Sequence, residues 1–398
     1  GELPEELRAA LMRAGLPESA AAVWVSPAGS DRPVLAFNEK KSMQPASIIK
    51  TVTTLAALDL LGPGFVWKTD FTARSFEHKT GTLKGLGVRG GGDPHYMIER
   101  LWVTVQRLKS LGVRKIDGNI VIDRSMFDVP AEEPGAFDGA AWRTYNVGPD
   151  AAMINLSAVS LTFTPESNGK WARVAAIPQM QGVSFPARIA MKSGPCGAWR
   201  EQIRVDFSNP ARLRFLGRYP EACGERALHV SFWERNEYFT RVFKHVLSEA
   251  SIAWNGRAVS GNVPQKAQTL LSETSEPLPL MVNWTNKFSN NPMARQIFLA
   301  LSFADADGLQ KPAALNRSRK VLQTWLEQRA GVQAATISVD NGSGLSRKTR
   351  ASAESLGRLL NYGWRSAVMP EFMSSLPVTG EDGTMRKRPL KKGVGHIK

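Results

Sequence analysis

The chain has 398 residues, of which 42% are apolar, and its lysines and arginines outnumber its acidic residues to give a formal net charge of +15. This length is enough for two or three folded domains. No apolar run approaches the roughly 18 residues of a membrane-spanning helix. The positive charge indicates an anionic environment, and nucleic acid is the least favoured one because the basic residues are spread along the chain without a nucleic-acid-binding motif.

The histidines and cysteines argue against a metal centre. The five histidines lack a metal-binding spacing such as His-Glu-x-x-His, and two cysteines cannot complete a zinc site of thiolates. We therefore expect no metal and no other cofactor. Cys196 and Cys223 flank a stretch rich in predicted strands, so they either form one disulfide in an oxidising compartment or are two separate buried thiols.

Apolar periodicity predicts helices at both ends of the chain and a β-rich middle. The expected elements, in chain order, are a helix at 5–14, a strand pair at 20–25 and 33–37, a helix after residue 47, a helix at 97–111 among short strands between 69 and 122, strands at 157–164, 173–177, 188–191 and 202–205, helices at 239–249, 278–286, 292–301 and 313–328, and a strand at 335–339.

Ser47 and Lys50 stand three residues apart at the start of an apolar run. On a helix this spacing places a hydroxyl and an amine on one face. The following residues are apolar on nearly every side until Gly62, which predicts a buried helix. Burial favours the neutral amine, so Lys50 is predicted to activate Ser47 for acyl transfer. A solvated lysine on a core helix is the alternative interpretation.

Other short patterns are interpreted as structural. A second Ser-x-x-Lys, from Ser167 to Lys170, lies in a polar turn where nothing would desolvate the lysine. The Gly-x-Gly-x-x-Gly pattern at 85–90 is followed by a turn and not by a helix that could hold a pyrophosphate. The Ser-x-Asn pattern at 260–262 lies in a turn rich in glycine and proline.

The triplet Ser289-Asn290-Asn291 supplies the partners that an activated serine needs. Its serine hydroxyl can relay a proton to a leaving amine, and the amide of Asn291 can hold a substrate carbonyl and orient the lysine. A basic side chain near a carboxylate-binding site would fix the C-terminus of a substrate, and the candidates are Arg347 and Lys398.

Taken together, these motifs resemble the class C low-molecular-mass penicillin-binding proteins, the D-alanyl-D-alanine carboxypeptidase/endopeptidase family. The resemblance runs through most of the chain and not through one motif alone. The six segments that carry it, in family order, are 45–51, 90–94, 118–123, 286–291, 341–347, and 375–380 with 382–384.

The resemblance implies an α/β (α+β) fold in which a penicillin-recognising, serine transpeptidase-like domain is split by two inserted, β-rich domains. The expected bounds are 1–66 and 267–398 for the catalytic domain, 67–155 and 206–266 for the first inserted domain, and 156–205 for a small nested β-domain.

The resemblance also assigns roles to residues. Ser47 would be the acylated nucleophile, Lys50 its general base, and Ser289 with Asn291 the second motif. Asn290 stands where the family commonly has aspartate, a change expected to affect local packing more than catalysis. Three further residues are expected to bind substrate: Arg347 would hold an acidic group of the stem peptide, and Asp138 and Tyr145 fall near inserted-domain residues that face the cleft.

The third family motif, Lys-Thr-Gly, is expected to begin at Lys398, whose positive charge is also expected to help keep Lys50 neutral. A complete copy at 79–81 comes too early in the chain, in a predicted hairpin. Residues after Lys398 would supply closing strands and a second oxyanion-hole N–H, whose loss typically costs roughly 100- to 1000-fold in rate. We therefore expect this chain to be part of a longer enzyme.

The predicted function is that of a serine DD-peptidase that cleaves D-Ala-D-Ala termini, D-Ala cross-links of peptidoglycan, or both, and that β-lactams acylate and inhibit. Its expected partners are peptidoglycan stem peptides and β-lactams, with no nucleic acid and no integral membrane segment, and the net charge suggests peripheral association with an anionic envelope. The resemblance implies a periplasmic or otherwise extracytoplasmic mature form. No signal peptide opens the chain, and its first residues look like the start of a mature or trimmed protein.

Two alternatives remain open. A serine β-lactamase of class A would need a glutamate-based water activator in a Glu-x-x-x-Asn pattern, which this chain lacks. A peptidoglycan-binding or scaffolding protein with an impaired site is the other alternative, motivated by the incomplete third motif.

Overall fold

A computed structural model describes residues 1–388 and 392–398 of the chain. Its helices are Glu5–Arg13 (α1), Ile49–Leu61 (α2), Ile98–Ser110 (α3), Trp199–Gln202 (α4), Arg235–Glu249 (α5), Leu278–Phe288 (α6), Asn291–Ala300 (α7), Leu315–Gln328 (α8), Ala353–Arg365 (α9) and Met369–Ser375 (α10).

The strands are short and most of them lie in the middle of the chain. They are Val23–Val25 (β1), Leu35–Phe37 (β2), Lys68–Ala73 (β3), Ser75–Glu77 (β4), Thr82–Lys84 (β5), Gly87–Gly90 (β6), Lys115–Asp117 (β7), Ile120–Asp123 (β8), Val159–Pro165 (β9), Trp171–Ile177 (β10), Arg188–Lys192 (β11), Arg204–Asp206 (β12), Arg214–Leu216 (β13), Tyr219–Pro220 (β14), Arg226–Val230 (β15), Ala253–Trp254 (β16), Ala258–Ser260 (β17), Gln268–Thr274 (β18), Ile337–Ser338 (β19) and Arg350–Ala351 (β20).

The chain divides into two compact units. The first unit contains Gly1–Trp67, Met126–Pro130 and Glu276–Lys398, and the second contains Lys68–Ser125 and Ala131–Ser275. The mixed α+β architecture predicted from the sequence is therefore confirmed, with the first unit built from the two ends of the chain.

The first unit is organised around α2. Its apolar residues surround the helix on nearly every side, and nine of its thirteen residues are buried, as expected for a helix of this composition. Helices α6, α7, α9 and α10 pack against it. The antiparallel pair β1–β2 lies beside α9, where Gly357 provides the close approach: a Cβ at this glycine would lie 2.0 Å from the Trp24 ring.

The second unit contains two five-stranded sheets. One has the order β17-β8-β6-β3-β18 and the other β14-β11-β10-β9-β15. Strand β10 alternates strictly between exposed and buried residues, so one face of the second sheet packs inward and the other faces solvent. Buried residues from both sheets, such as Phe71 and Leu161, join residues of α5, such as Phe243, in one continuous hydrophobic core.

Strand pairing corrects the expected domain bounds. Strand β18 pairs with β3 over Gln268–Thr274, so the return to the first unit occurs at Glu276 and not at 267. Strand β15 pairs with β9, which extends the sheet predicted at 156–205 to residue 230. Both differences have the same cause, because each strand pairs with a partner distant in sequence.

The second unit contains a disulfide. Cys196 and Cys223 form a disulfide, which is one of the two alternatives that the sequence leaves open. Across 1–388 and 392–398, no helix has both the length and the apolar character that crossing a bilayer requires.

Candidate active site

Ser47 lies in a single 3₁₀ turn, Ala46–Ile48, that leads directly into α2. Ala46 adopts a left-handed backbone conformation with φ of +49°, which is uncommon for a residue with a side chain. The serine is exposed, whereas Lys50, one turn further on, is only 2% exposed. The structure thus presents a hydroxyl to solvent directly above a buried amine.

The Lys50 amine is held by three oxygen atoms. Its Nζ lies 3.0 Å from Ser47 Oγ, 2.6 Å from Asn291 Oδ1 and 2.6 Å from the backbone oxygen of Ser343. The amide oxygen and the backbone oxygen can only accept hydrogen bonds. A neutral lysine amine has two N–H groups and one lone pair, so when both N–H groups point to these acceptors the lone pair is left for the Ser47 hydroxyl.

Burial lowers the pKa of the Lys50 amine from 10.5 to about 8. Removal from water penalises the ammonium form, which is the physical cause of this shift. The sequence analysis attributed the neutral amine to burial, and the structure agrees. With a pKa of about 8, roughly a tenth of the amine is neutral at pH 7.

The second motif forms the link between α6 and α7. Ser289 is the C-cap of α6 in a left-handed conformation with φ of +53°, and Asn290 is the N-cap of α7, where its Oδ1 accepts the backbone N–H of Met293 at 2.9 Å. This tight connection starts α7 at Asn291, whose side chain reaches Lys50. Asparagine and aspartate cap helices about equally well, so Asn290 in place of aspartate preserves the cap.

A loop at 341–347 completes the surroundings of Lys50, and the sequence analysis missed this role. The fully buried Ser343 donates from its backbone N–H and its hydroxyl to Asn341 Oδ1, which fixes the backbone whose oxygen accepts from Lys50. Gly342 accepts a hydrogen bond at 2.8 Å from the hydroxyl of Thr53 on α2. The Gly-Ser-Gly sequence was a visible signal for a close backbone approach, although it did not identify the partner.

Gly344 brings this loop against the backbone of the serine. Its φ is +86°, and a Cβ at this position would lie 2.0 Å from the backbone oxygen of Ala46 and 2.9 Å from the backbone N of Ser47. Within the described residues, the Ser47 N–H makes no hydrogen bond. An N–H at the start of a helix is suited to stabilise an oxyanion on a carbonyl attacked by the same serine.

The charge of Lys398 is not among the causes of the lowered pKa of Lys50. Lys287 Nζ donates to Asp382 Oδ2 at 2.5 Å and to the backbone oxygen of Leu376 at 2.7 Å. The pKa of Asp382 is lowered first by the hydrogen bond from Lys287 and, more weakly, by the charge of Lys398. The expected contribution of Lys398 to the neutral state of Lys50 is therefore wrong, since burial is the cause of that shift.

The three expected substrate-binding residues lie in two places. Arg347 is exposed at the end of the 341–347 loop, and its backbone oxygen accepts from Gln44 at 3.3 Å. Asp138 and Tyr145 lie in the second unit, where the tyrosine hydroxyl donates to Asp138 and lowers the pKa of that carboxyl. Their roles in substrate binding stay predictions.

The patterns interpreted as structural lie where the sequence analysis expected them. Residues 167–170 form an exposed turn between β9 and β10, and the Lys-Thr-Gly copy at 79–81 lies in the turn of the β4–β5 hairpin. The glycine pattern at 85–90 lies in and before β6, with no helix until α3. None of these turns lies in the unit that contains Ser47.

An exposed hydroxyl beside a buried amine of lowered pKa, with both held at the start of one helix, defines a serine enzyme that uses lysine for acyl transfer. A sequence profile of the D-Ala-D-Ala carboxypeptidase 3 (S13) family matches residues 3–397. The chain therefore belongs to this family of serine peptidases.

Individual relatives agree with the family assignment. The chain is 25% identical to the D-alanyl-D-alanine carboxypeptidase DacB of Haemophilus influenzae over 367 residues, which cover 90% of this chain and 75% of that protein. It is also 25% identical to the D-alanyl-D-alanine carboxypeptidase of Actinomadura sp. (strain R39) over 403 residues, which cover 97% of this chain and 73% of that protein.

The same fold occurs in a solved structure. The crystal structure of penicillin-binding protein 4 (dacB) from Haemophilus influenzae matches this chain with a TM-score of 0.71 at 23% identity, and the match covers 92% of this chain and 80% of that one. This agreement concerns the fold, whereas the catalytic roles rest on the geometry around Lys50.

Proposed function

We propose that this chain is a serine DD-peptidase that cleaves D-Ala-D-Ala termini or D-Ala cross-links of peptidoglycan through an acyl-enzyme on Ser47. The observation that carries the proposal is the 3.0 Å contact between Lys50 Nζ and Ser47 Oγ, with Nζ held by two acceptors at 2.6 Å. A β-lactam, which presents a strained amide carbonyl, is attacked by the same hydroxyl.

Acylation begins with the neutral amine of Lys50. Its lone pair accepts the proton of Ser47 Oγ, and the oxygen forms a bond to the carbonyl carbon of the substrate. The carbonyl oxygen becomes an oxyanion next to the Ser47 N–H. Asn291 and Ser343 stabilise the resulting ammonium, because their oxygens already accept hydrogen bonds from Nζ.

The leaving group needs a proton before the C–N bond breaks. Ser289 stands two residues before Asn291, in the left-handed link between α6 and α7, and its hydroxyl serves as the relay from the Lys50 ammonium to the departing amine. The amine then leaves as free D-alanine or as the amine-bearing acceptor strand of a cross-link. Water attacks the ester on Ser47 and releases the shortened peptide, which restores the serine hydroxyl.

Two basic side chains are proposed to recognise carboxylates of the substrate. Arg347, at the exposed end of the 341–347 loop, would hold the acidic group of the stem peptide, and Lys398 would attract its C-terminal carboxylate. Asp138 and Tyr145 are proposed to contact the stem peptide from the second unit. The net charge of +15 favours association with an anionic peptidoglycan.

A periplasmic or otherwise extracytoplasmic location is proposed from the net positive charge and from the disulfide. The disulfide between Cys196 and Cys223 is of the kind that persists in oxidising compartments. Peptidoglycan, the proposed substrate, lies outside the cytoplasm.

Covalent labelling with a fluorescent penicillin tests the proposal directly. We expect the chain to be labelled and Ser47→Ala to abolish the label. The matched control is Ser167→Ala, which removes the serine of the other Ser-x-x-Lys pattern and leaves labelling unchanged. Labelling that survives Ser47→Ala contradicts the nucleophile assignment, whereas rapid turnover of the drug identifies a β-lactamase and an unlabelled folded chain identifies a binding protein.

A further inference from the structure

The solvent-facing side of the sheet β14-β11-β10-β9-β15 carries a concentration of positive charge. The segment from β10 to β11 with its preceding turn, residues 165–192, contains four lysines and arginines and a single acidic residue, Glu166. Three of these side chains and a tryptophan lie exposed on the two strands. We call Trp171, Arg173, Arg188 and Lys192 the basic sheet face.

Strand geometry places these side chains together. Trp171 and Arg173 alternate along β10 with the buried residues Ala172 and Val174, so both point to the same, outer face. In the antiparallel pairing of β10 with β11, Arg173 lies directly opposite Arg188, and Trp171 lies opposite Ala190. The small alanine leaves the indole ring uncovered on that side, and Trp171 is 41% exposed.

The pair Arg173–Arg188 is unfavourable without an anion. Side chains directly opposite each other on an antiparallel pair have Cβ atoms only about 4.5 to 5.5 Å apart, and like charges there are destabilising. Arg188 has a carboxylate partner, Glu166, at 3.0 Å. The guanidinium of Arg173 has no hydrogen bond or ion pair with any residue that the structure describes, so an anion bound beside it would relieve the repulsion.

Trp171 adds a second kind of contact to this face. An exposed indole provides a flat apolar surface with one polar edge, and the apolar side of a sugar ring packs on such a surface. Thr162 and Thr164 lie on the neighbouring strand β9. Thr164 is directly opposite Arg173, and its hydroxyl donates to the exposed carboxylate of Glu225 at 3.0 Å. An exposed aromatic ring flanked by arginines and threonines fits a polymer of sugars that bears carboxylates.

We infer that the basic sheet face is a binding surface for polymeric peptidoglycan, distinct from the Ser47 site, that contacts sugar rings through Trp171 and stem-peptide carboxylates through Arg173 and Arg188. The choice of this polymer rests on the proposed function, whereas the charge and the exposed indole belong to the face itself. Such a surface would hold the enzyme on an insoluble substrate while individual stem peptides are released.

Sedimentation with purified peptidoglycan sacculi tests this inference. The Ser47→Ala chain is used so that binding is measured without turnover. We expect Arg173→Ala/Arg188→Ala to raise the concentration for half-saturation about tenfold, and Trp171→Ala to raise it about threefold. The charge-matched control Arg13→Ala/Arg32→Ala removes two exposed arginines of the first unit, and we expect a change of less than twofold.

One further variant and two competitors make the result unambiguous. Arg173→Lys/Arg188→Lys keeps the charge, and we expect it to retain most of the binding, with thermal melting curves showing that all variants fold. Soluble glycan fragments should displace the chain at lower concentrations than polyglutamate of equal charge. The inference is overturned if Arg173→Ala/Arg188→Ala binds sacculi as well as its control variant does. It is also overturned if polyglutamate competes as well as glycan fragments and Trp171→Ala leaves binding unchanged. Equal losses of binding to anionic lipid vesicles in these variants would overturn it as well.

Penicillin labelling keeps this inference separable from the proposed function. With Ser47 intact, we expect every variant of the basic sheet face to be labelled at the parental rate, because labelling requires only the first unit's serine and lysine. Loss of sacculus binding with normal labelling confirms a binding surface separate from catalysis. An unlabelled parental chain that still binds sacculi through Arg173, Arg188 and Trp171 would refute the peptidase assignment and leave the surface in place.

Discussion

Lys50 Nζ lies 2.6 Å from the backbone oxygen of Ser343, although 293 residues separate them in the chain. This contact gives the buried amine an acceptor that no side-chain substitution at Ser343 can remove. The Ser343 oxygen and Asn291 Oδ1 accept the two N–H groups of the neutral amine, so its lone pair is directed to Ser47. The base is thus oriented by acceptors supplied from two separate segments.

The acylation rate should follow the neutral form of Lys50. Because burial lowers its pKa to about 8, the neutral fraction rises with pH and is nearly complete above that value. We expect the rate of acylation by penicillin to rise about tenfold per pH unit below pH 7 and to level off above about pH 9. Stopped-flow measurement of single-turnover acylation checks this, and a rate independent of pH between 6 and 8 would contradict the role of Lys50 as base.

Asn291→Asp should move this pH profile upward. A carboxylate at hydrogen-bonding distance from Lys50 favours the ammonium form and therefore raises the pKa of the amine. Close opposite charges typically shift a pKa by about one to three units. At pH 7 we expect acylation to slow about 10- to 1000-fold, with recovery at higher pH.

Asn290→Asp is the matched control for that substitution. It adds the same charge one residue earlier, at the N-cap of α7 and not on Lys50, and aspartate retains the cap. We expect an unchanged pH midpoint. Equal shifts in the two variants would show that general electrostatics, and not the contact with Asn291, sets the profile.

Removal of the cap itself should affect stability more than chemistry. Asn290→Ala leaves the Met293 N–H without its acceptor and should lower the free energy of unfolding of the first unit by about 1 kcal/mol. Urea denaturation measures this loss. Because α7 starts next to Asn290, a small decrease in acylation is also expected, whereas a loss of more than about tenfold would assign Asn290 a direct part in catalysis.

Gly344→Ala should disrupt the serine turn. The new Cβ would lie 2.0 Å from the backbone oxygen of Ala46, so either the 341–347 loop or the turn at Ser47 must move. We expect penicillin acylation to fall at least about 100-fold, since a displacement of roughly 1 Å at a reacting group can cost that much.

Gly331→Ala is the control that measures the cost of an alanine at positive φ in the absence of a steric clash. Gly331 has a φ of +65° and no atom within 4 Å of a Cβ built on it. We expect only a modest loss of stability, about 1 kcal/mol, and unchanged acylation. If both alanine variants acylate normally, the close approach of Gly344 does not position Ser47.

The parts of the site that the sequence predicted depend on local signals. The Ser47–Lys50 spacing, the apolar helix after it and the Ser289–Asn291 motif are each readable within a few residues. The Ser343 backbone oxygen is different, because every residue has one and only the folded chain brings this one to Lys50. The missed bounds near residue 275 have the same origin, since the pairing of β18 with β3 joins segments about two hundred residues apart.

The helices α9 and α10 were not predicted, and α9 shows why. Two glycines interrupt its sequence, and glycine is unfavourable in helix interiors by roughly 1 kcal/mol. The structure explains both of them by packing: Gly357 lies under Trp24, and a Cβ at Gly363 would lie 3.1 Å from Leu55 of α2. Tertiary contacts therefore outweigh a local preference that the sequence alone displays.

The contacts of Lys50 also impose an order in time. During synthesis the serine and lysine are made early, and about 240 residues must follow before Asn291 exists and about 290 before Ser343 does. A shorter nascent chain therefore carries the hydroxyl and the amine without the acceptors that orient them. Efficient acylation therefore requires a chain made at least as far as Ser343, which keeps a shorter, unfinished chain chemically silent.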